Sequence, residues 1–243
     1  MFKKGGINTM KHYSLAIIVF LALILFTPHL KVQGDEDQAG IMQEKFQKAM
    51  QGLKREIRAD VKVENPGTIK GKVKCRRVRH SGDAVVYIEK VGDNKYDPPE
   101  ERGFMDQINL TFVPHVIAIQ RGTTVDFPNS DLVRHNVFSP PDSPDPFNLG
   151  TYDIGSSKPF TFDNSGEVPL LCNVHAEMSG FIVVLDNPYF AVTKRDGSFT
   201  INNVPAGTYK LKTWHEKLRT EEQEVTVEGG KTIEVSFMLK KRK

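Results

Sequence analysis

Cysteine is scarce in this sequence, with only Cys75 and Cys172 among 243 residues. That scarcity excludes the disulfide-dense scaffolds of small secreted domains and the paired-cysteine clusters of structural zinc. At most one disulfide is open to the chain, between two residues far apart in sequence. Long apolar runs are missing too. The longest, "LAIIVFLALILF" at 15–26, has twelve residues, against the roughly 20 that a membrane-spanning helix needs. Charge of either sign is not in excess. Residues 1–34 hold four lysines and no acid, and without them 29 basic residues face 30 acidic ones. Nothing in that balance points to nucleic acid. Catalytic signatures are absent as well: there is no HExxH and no GxSxG, and "GGKT" (229–232) lacks the upstream glycine of a phosphate-binding loop. No enzyme is expected.

What is present begins with an export signal. Lys11 lies in a basic leader, the apolar run follows, and "VQG" (32–34) puts small residues at a cleavage position. Residues 1–34 therefore read as a signal peptide, and the mature chain as exported, periplasmic or extracellular, without an integral membrane span. An uncleaved signal would leave it membrane-associated. In "AGIMQEKFQKAMQGLKREI" (39–57), Met42, Phe46, Ala49, Met50, Leu53 and Ile57 recur at helical spacing. One amphipathic helix with its linker is expected over 35–62.

From residue 67 onward the helical signals stop. "GTIKGKVKC", "DAVVYIEKV", "FVPHVIAIQRGTTVDFPN", "KPFTFDN" and "GFIVVLD" alternate apolar and polar residues. Clusters of Gly, Pro, Asn and Asp punctuate them, which is the pattern of short strands in β-sandwiches. Proline-bearing breaks at 92–103 and 186–190 bracket a central segment. The alternation puts Ile69, Val73 and Cys75 on one face, so Cys75 reads as a buried thiol acting as a small hydrophobe.

The chemistry sits in "PLLCNVHAEMSG" (169–180), where a thiol, an imidazole and a thioether occur within seven residues as Cys172, His175 and Met178. Read without a metal, this is a strand running into a loop. Read with one, it is a soft ligand loop lacking a second imidazole, which His135 in "FPNSDLVRHNVFSP" can supply. Two imidazoles and a thiolate with a weak thioether suit copper in both of its common redox states. Zinc sites prefer cysteine, histidine and carboxylate. Acids at Asp142, Asp145, Asp153 and Glu177 lie close in sequence to these loops, where they could guide a basic partner. His80 reads as solvent-exposed in a basic turn, His115 as one residue of an alternating strand, and His215 as bonded to a loop, with Trp214 and His215 facing a partner as the alternative.

Residues 103–186 resemble a cupredoxin, the blue copper fold. "HNVF" is similar to the strand bearing that family's first histidine. "CNVHAEM" is similar to its short ligand loop, and "FPN" and "GFIVVL" stand where the family has them. The resemblance implies a Greek-key β-sandwich holding one type 1 copper ion. His135, Cys172 and His175 would be equatorial ligands and Met178 axial, with Asn136 tying the two ligand loops together. It implies single-electron transport to a transient redox partner, a cytochrome or oxidoreductase. Copper delivery, or a structural module with a vestigial site, are the alternatives.

The tail "TKRDGSFTINNVPAGTYKLKTWHEKLRTEEQEVTV" resembles the second half of a carboxypeptidase regulatory-like, transthyretin-type β-sandwich. Asp196-Gly197 and Pro205-Ala206-Gly207 carry the likeness. Strands at 67–92 would supply its first half and 187–239 the remainder, with the copper segment inserted between them and a basic tail at 240–243. The expected fold class is mainly β: a larger and a smaller sandwich after a signal peptide and one helix.

Overall fold

The computed structural model describes residues 54–241. Contacts divide the chain after residue 41, and every described residue belongs to the second part, residues 42–243. The expected signal peptide and most of the amphipathic helix lie outside the described residues. Where the expected helix reaches into them it is corrected, because its end is a short strand, β1 (Glu56–Ile57). The edge of a sheet offers that segment both pairing and burial. The Ala118 N–H donates to the Arg55 carbonyl at 2.9 Å, and Ile57 enters the core. Tertiary pairing thus overrides a helical spacing that is only a weak local preference.

All other elements among the described residues are strands as well. In chain order they begin with β2 (Gly67–Cys75), β3 (Val85–Ile88), β4 (Gly103–Phe104), β5 (Asp106–Ile108), β6 (Thr111–Val113) and β7 (Val116–Gln120). Then come β8 (Thr124–Pro128), β9 (His135–Ser139), β10 (Phe147–Tyr152), β11 (Ser157–Thr161), β12 (Gly166–Leu171) and β13 (Ser179–Leu185). The last are β14 (Phe190–Val192), β15 (Ser198–Val204), β16 (Gly207–Trp214), β17 (Glu222–Val227) and β18 (Thr232–Leu239). The mainly β class with a larger and a smaller sandwich holds.

The larger sandwich pairs a six-stranded sheet, β1-β7-β13-β12-β9-β10, with a three-stranded sheet, β11-β8-β4. Their inward residues, among them Ile117, Phe127, Phe162 and Ile182, form one core. The smaller sandwich pairs β14-β3-β16-β17 with β15-β2-β18 around Ile69, Val73, Ile88, Leu211 and Phe237. Strands β2 and β3 precede the larger sandwich in sequence yet pair with strands that follow it. β2 lies between β15 and β18, and β3 between β14 and β16.

A third apolar cluster joins the two sandwiches. Val116, Ala118 and Val183 on the outer face of the six-stranded sheet meet Val85, Phe190, Val192 and Trp214. Arg55 adds polar stitching, donating to the Val116 carbonyl at 3.3 Å and the Thr193 carbonyl at 3.1 Å and pairing with Asp83. Burial lowers the Arg55 pKa and its carboxylate neighbours raise it back only in part.

Gly197 shows how tightly the turns are specified. Its φ is +85°, and a Cβ there would lie 2.0 Å from the Val73 carbonyl oxygen, so any side chain is excluded. The two cysteines are both free. Cys75 packs against the core of the smaller sandwich and Cys172 lies in that of the larger, so the possible disulfide is not formed. Burial pushes the Cys75 thiol up to about 11, leaving it a poor nucleophile.

Candidate metal centre

Strand pairing assembles the site at one end of the six-stranded sheet. β12 and β9 are antiparallel neighbours, with Leu171 opposite Phe138. The residue after β12, Cys172, therefore falls beside the start of β9, where His135 stands. The loop 172–178 folds back into β13, closed by a bond from the Met178 N–H to the His175 carbonyl at 3.1 Å. His135, Cys172 and Met178 are buried and His175 is half-buried.

His135 Nδ1 lies 3.1 Å from His175 Nδ1 and 3.9 Å from Cys172 Sγ. The three ligand atoms all fall within 4.8 Å of one another, the grouping expected of residues that could hold a metal ion. With bonds of about 2.0 Å to nitrogen and about 2.3 Å to sulfur at angles of about 100–130°, ligand atoms on one metal sit about 3.1–3.9 Å apart. The short distances match. Met178 packs in the same core cluster as Cys172. The residues present fit a soft, thiolate-preferring ion.

A carboxylate stands behind the first histidine. Asp131 Oδ2 lies 2.9 Å from His135 Nε2 and accepts its N–H. That fixes the tautomer and turns the Nδ1 lone pair toward Cys172 and His175. Asp131 also accepts the Leu110 and Leu132 N–H groups, each at 2.8 Å. Burial alone would raise its pKa, but the bonds from Leu110, His135 and Leu132 outweigh that and hold it below the ordinary range.

Asn136 links three elements. Its N–H lies 3.5 Å from Cys172 Sγ, its Oδ1 accepts the Asn173 N–H at 3.3 Å, and its Nδ2 donates to Asn148 Oδ1 at 2.8 Å. A polar layer underpins the Asp131 loop. Asn129 donates to the Val133 carbonyl at 2.9 Å and accepts the Asp131 N–H at 3.1 Å. Gln107 donates to the Pro128 carbonyl at 2.9 Å and to the Tyr152 hydroxyl at 2.5 Å. Asp131, Asn129 and Gln107 were not singled out as site residues in the sequence. A carboxylate four positions before a candidate ligand histidine, as in "DLVRH", was the available signal for the first.

Against this geometry the comparisons with known proteins can be set. A family model described as polysaccharide lyase family 4, domain II, matches residues 182–235. No curated protein matches the chain. Among solved structures, the chain is similar to a copper-containing nitrite reductase from Thermus scotoductus SA-01. The two are 28% identical over 40% of this chain and 25% of that one, with a TM-score of 0.33. It is similar to a purple cupredoxin from Nitrosopumilus maritimus, 24% identical over 34% of this chain and 98% of that one, with a TM-score of 0.31. It is also similar to amicyanin from Paracoccus versutus, 19% identical over 41% and 96% of the respective chains, with a TM-score of 0.33. The match thus spans a quarter of the nitrite reductase chain.

Among the described residues, the other three histidines stand apart from the cluster. His80 Nδ1 accepts the Gly82 N–H at 3.2 Å. His115 bonds the Ser179 carbonyl through Nδ1 at 3.2 Å and faces Glu216 through Nε2 at 3.4 Å. His215 is buried and accepts the Lys217 N–H at 3.1 Å. Two of the acids near the ligand loops are also committed: Asp145 accepts from Asn164, and Asp153 pairs with Arg134 at 2.7 Å.

His215 predicts a pH dependence. Burial, foremost, pulls its pKa below the ordinary 6.5; Lys217 and His115 add to this, while Glu216 and Asp83 oppose it. In the fold His215 is neutral, whereas the unfolded chain takes up a proton as pH falls through 6.5. Its stabilising contribution is therefore complete above that value and declines below it, down to the folded pKa. The urea midpoint should fall between about pH 7.5 and about pH 5.5, and His215→Gln should flatten that fall.

Proposed function

We propose that this chain is an exported copper protein that carries single electrons, a carrier rather than a catalyst. The observation that supports it is the convergence of His135 Nδ1, His175 Nδ1 and Cys172 Sγ, the first and last of them on buried residues backed by Asp131 and Asn136. In this reading His135, Cys172, His175 and Met178 would hold one type 1 copper ion. Copper, when bound, supplies a one-electron couple whose two states thiolate and imidazole both tolerate.

The chain's own residues do the rest. Asp131 keeps Nδ1 of His135 unprotonated and aimed inward. Asn136 ties β9 to the ligand loop, so the donor set changes little between redox states. Buried Cys172 and Met178 exclude water, while half-buried His175 is the route to a partner. Val174 beside His175 in the loop, and Leu132 and Val133 in the Asp131 loop, are exposed apolar residues, which suits a small, short-lived interface with a cytochrome or oxidoreductase. We read the copper unit as an insertion into a regulatory-like sandwich built from 67–92 and 187–239, which serves as its rigid base.

Voltammetry of the copper-loaded protein, paired with exposure to a Cu(I) chelator, tests the reading. A carrier shows a reversible one-electron wave and keeps its metal through repeated cycles. Rapid loss of Cu(I) to the chelator would mean delivery instead.

A further inference from the structure

One end of the smaller sandwich gathers cations that sequence order scatters. The loop after β2 carries Arg76, Arg77 and Arg79, the turn after β14 carries Lys194 and Arg195, and the chain beyond β18 carries Lys240; all six are exposed. These segments touch. A Cβ at Gly82 would lie 3.2 Å from Arg195 Cα. The Arg76 N–H donates to the Leu239 carbonyl at 3.1 Å, and the Arg219 N–H to the Lys240 carbonyl at 2.9 Å. In the basic tail Lys240 and Lys241 are exposed, while their backbone bonds to Arg219 and bridges to Leu218; residues 242–243 lie outside the described residues. Among the described residues none of the six cations has a carboxylate partner, while nearby Lys217 and Arg219 are neutralised by Glu216 and Glu221. In a chain whose charge beyond residue 34 is close to balanced overall, this is a local concentration of positive charge.

Its position links it to the ligand loop. Glu216, in the loop that also holds Lys217 and Arg219, faces His115 Nε2 at 3.4 Å, and His115 Nδ1 holds the Ser179 carbonyl at 3.2 Å. Ser179 directly follows Met178. Phe181 and Trp214, with ring centroids 5.5 Å apart, lock the two sandwiches together beside this joint. Exposed Val174, one residue before His175, and exposed Leu132, one residue after Asp131, together with this basic end have the make-up of a transient protein interface: apolar contact surface with charges that steer approach.

We propose that this basic end is the docking collar for an acidic redox protein, an inference that rests on the electron-carrier reading. Acidic residues on the partner meet Arg76, Arg77, Lys194 and Arg195 while its redox centre approaches His175. Of the acids near the ligand loops, Asp145 and Asp153 are already engaged, with Asn164 and Arg134.

The test is stopped-flow electron transfer between the copper-loaded full chain and two c-type cytochromes, one acidic and one basic. The comparison is repeated with the charge-reversed variant Arg76→Glu/Arg77→Glu/Lys194→Glu/Arg195→Glu. With the acidic cytochrome, the second-order rate constant should fall at least about tenfold between about 10 mM and about 300 mM salt, and the variant should be at least about tenfold slower at low salt. The basic cytochrome should show no such decline. A salt-independent rate, or a variant as fast as wild type, overturns the proposal. So does charge-dependent binding to phosphatidylglycerol vesicles with cytochrome rates unaffected, because the cations would then serve a membrane. Amide chemical shifts of metal-free protein titrated with the acidic cytochrome separate the two readings. Binding at the basic loops without electron transfer would defeat the carrier and leave the collar standing. Electron transfer without charge discrimination would do the reverse.

Discussion

Asp131→Ala should weaken copper binding by about 10–100-fold, although Asp131 touches no metal. Its carboxylate accepts three N–H groups, from Leu110, Leu132 and His135. Without it the His135 ring loses the bond that selects its tautomer, and Nδ1 is no longer held toward Cys172 and His175. The backbone N–H groups of Leu110 and Leu132 also lose their acceptor, at about 1–3 kcal/mol each where water cannot replace it. Asp131→Asn keeps an oxygen for one or two of these donors and should fall between wild type and alanine. Competition titration against a copper chelator reads the affinity and urea unfolding reads the stability. An alanine variant within twofold of wild type in affinity would mean that His135 is oriented by packing alone.

Phe127→Ala should cost about 3–5 kcal/mol of stability. Phe127 is fully buried in β8, with ring centroids 6.1 Å from Phe147 and 6.4 Å from Phe162. Phe147 stacks on Phe160 at 4.1 Å, so four rings fill one layer of the larger sandwich. Close-packed interiors relax only partly around a deleted ring, and the residual cavity adds to the lost transfer energy. The Phe127 carbonyl also accepts the Tyr152 hydroxyl at 2.8 Å, and Tyr152 pairs with His135 across β10 and β9. Loosening β8 should therefore soften the metal end as well. The urea midpoint should drop with little change in slope. A loss below about 1 kcal/mol would mean that the aromatic layer re-closes around the gap.

Much of this was legible in the sequence because strands and ligand loops are local patterns. Alternation in "GTIKGKVKC" puts Ile69 and Val73 inside and Lys70, Lys72 and Lys74 outside, as the structure has them. The spacing of Cys172, His175 and Met178 announced one loop, and His135 was the upstream imidazole with the right flanks. The parts that stayed hidden depend on contacts between distant segments. β1 carried a helical spacing that the sheet edge overrode. Strand β7 is apolar on both faces because Val116 and Ala118 meet the smaller sandwich while Ile117 and Ile119 fill the larger. Asp131 looked like one acid in a polar loop, since its role depends on the loop curling back to His135. The basic end was invisible because residues 76–79, 194–195 and 240 meet only after folding.

The most direct test of the central claim is the visible absorption spectrum of the protein loaded with one equivalent of Cu(II), recorded beside Cys172→Ser. A thiolate bound to Cu(II) gives an intense charge-transfer band. The account predicts that band in the wild type and its loss in the variant. A fully copper-loaded wild type without the band, or a band that survives in Cys172→Ser, would contradict it.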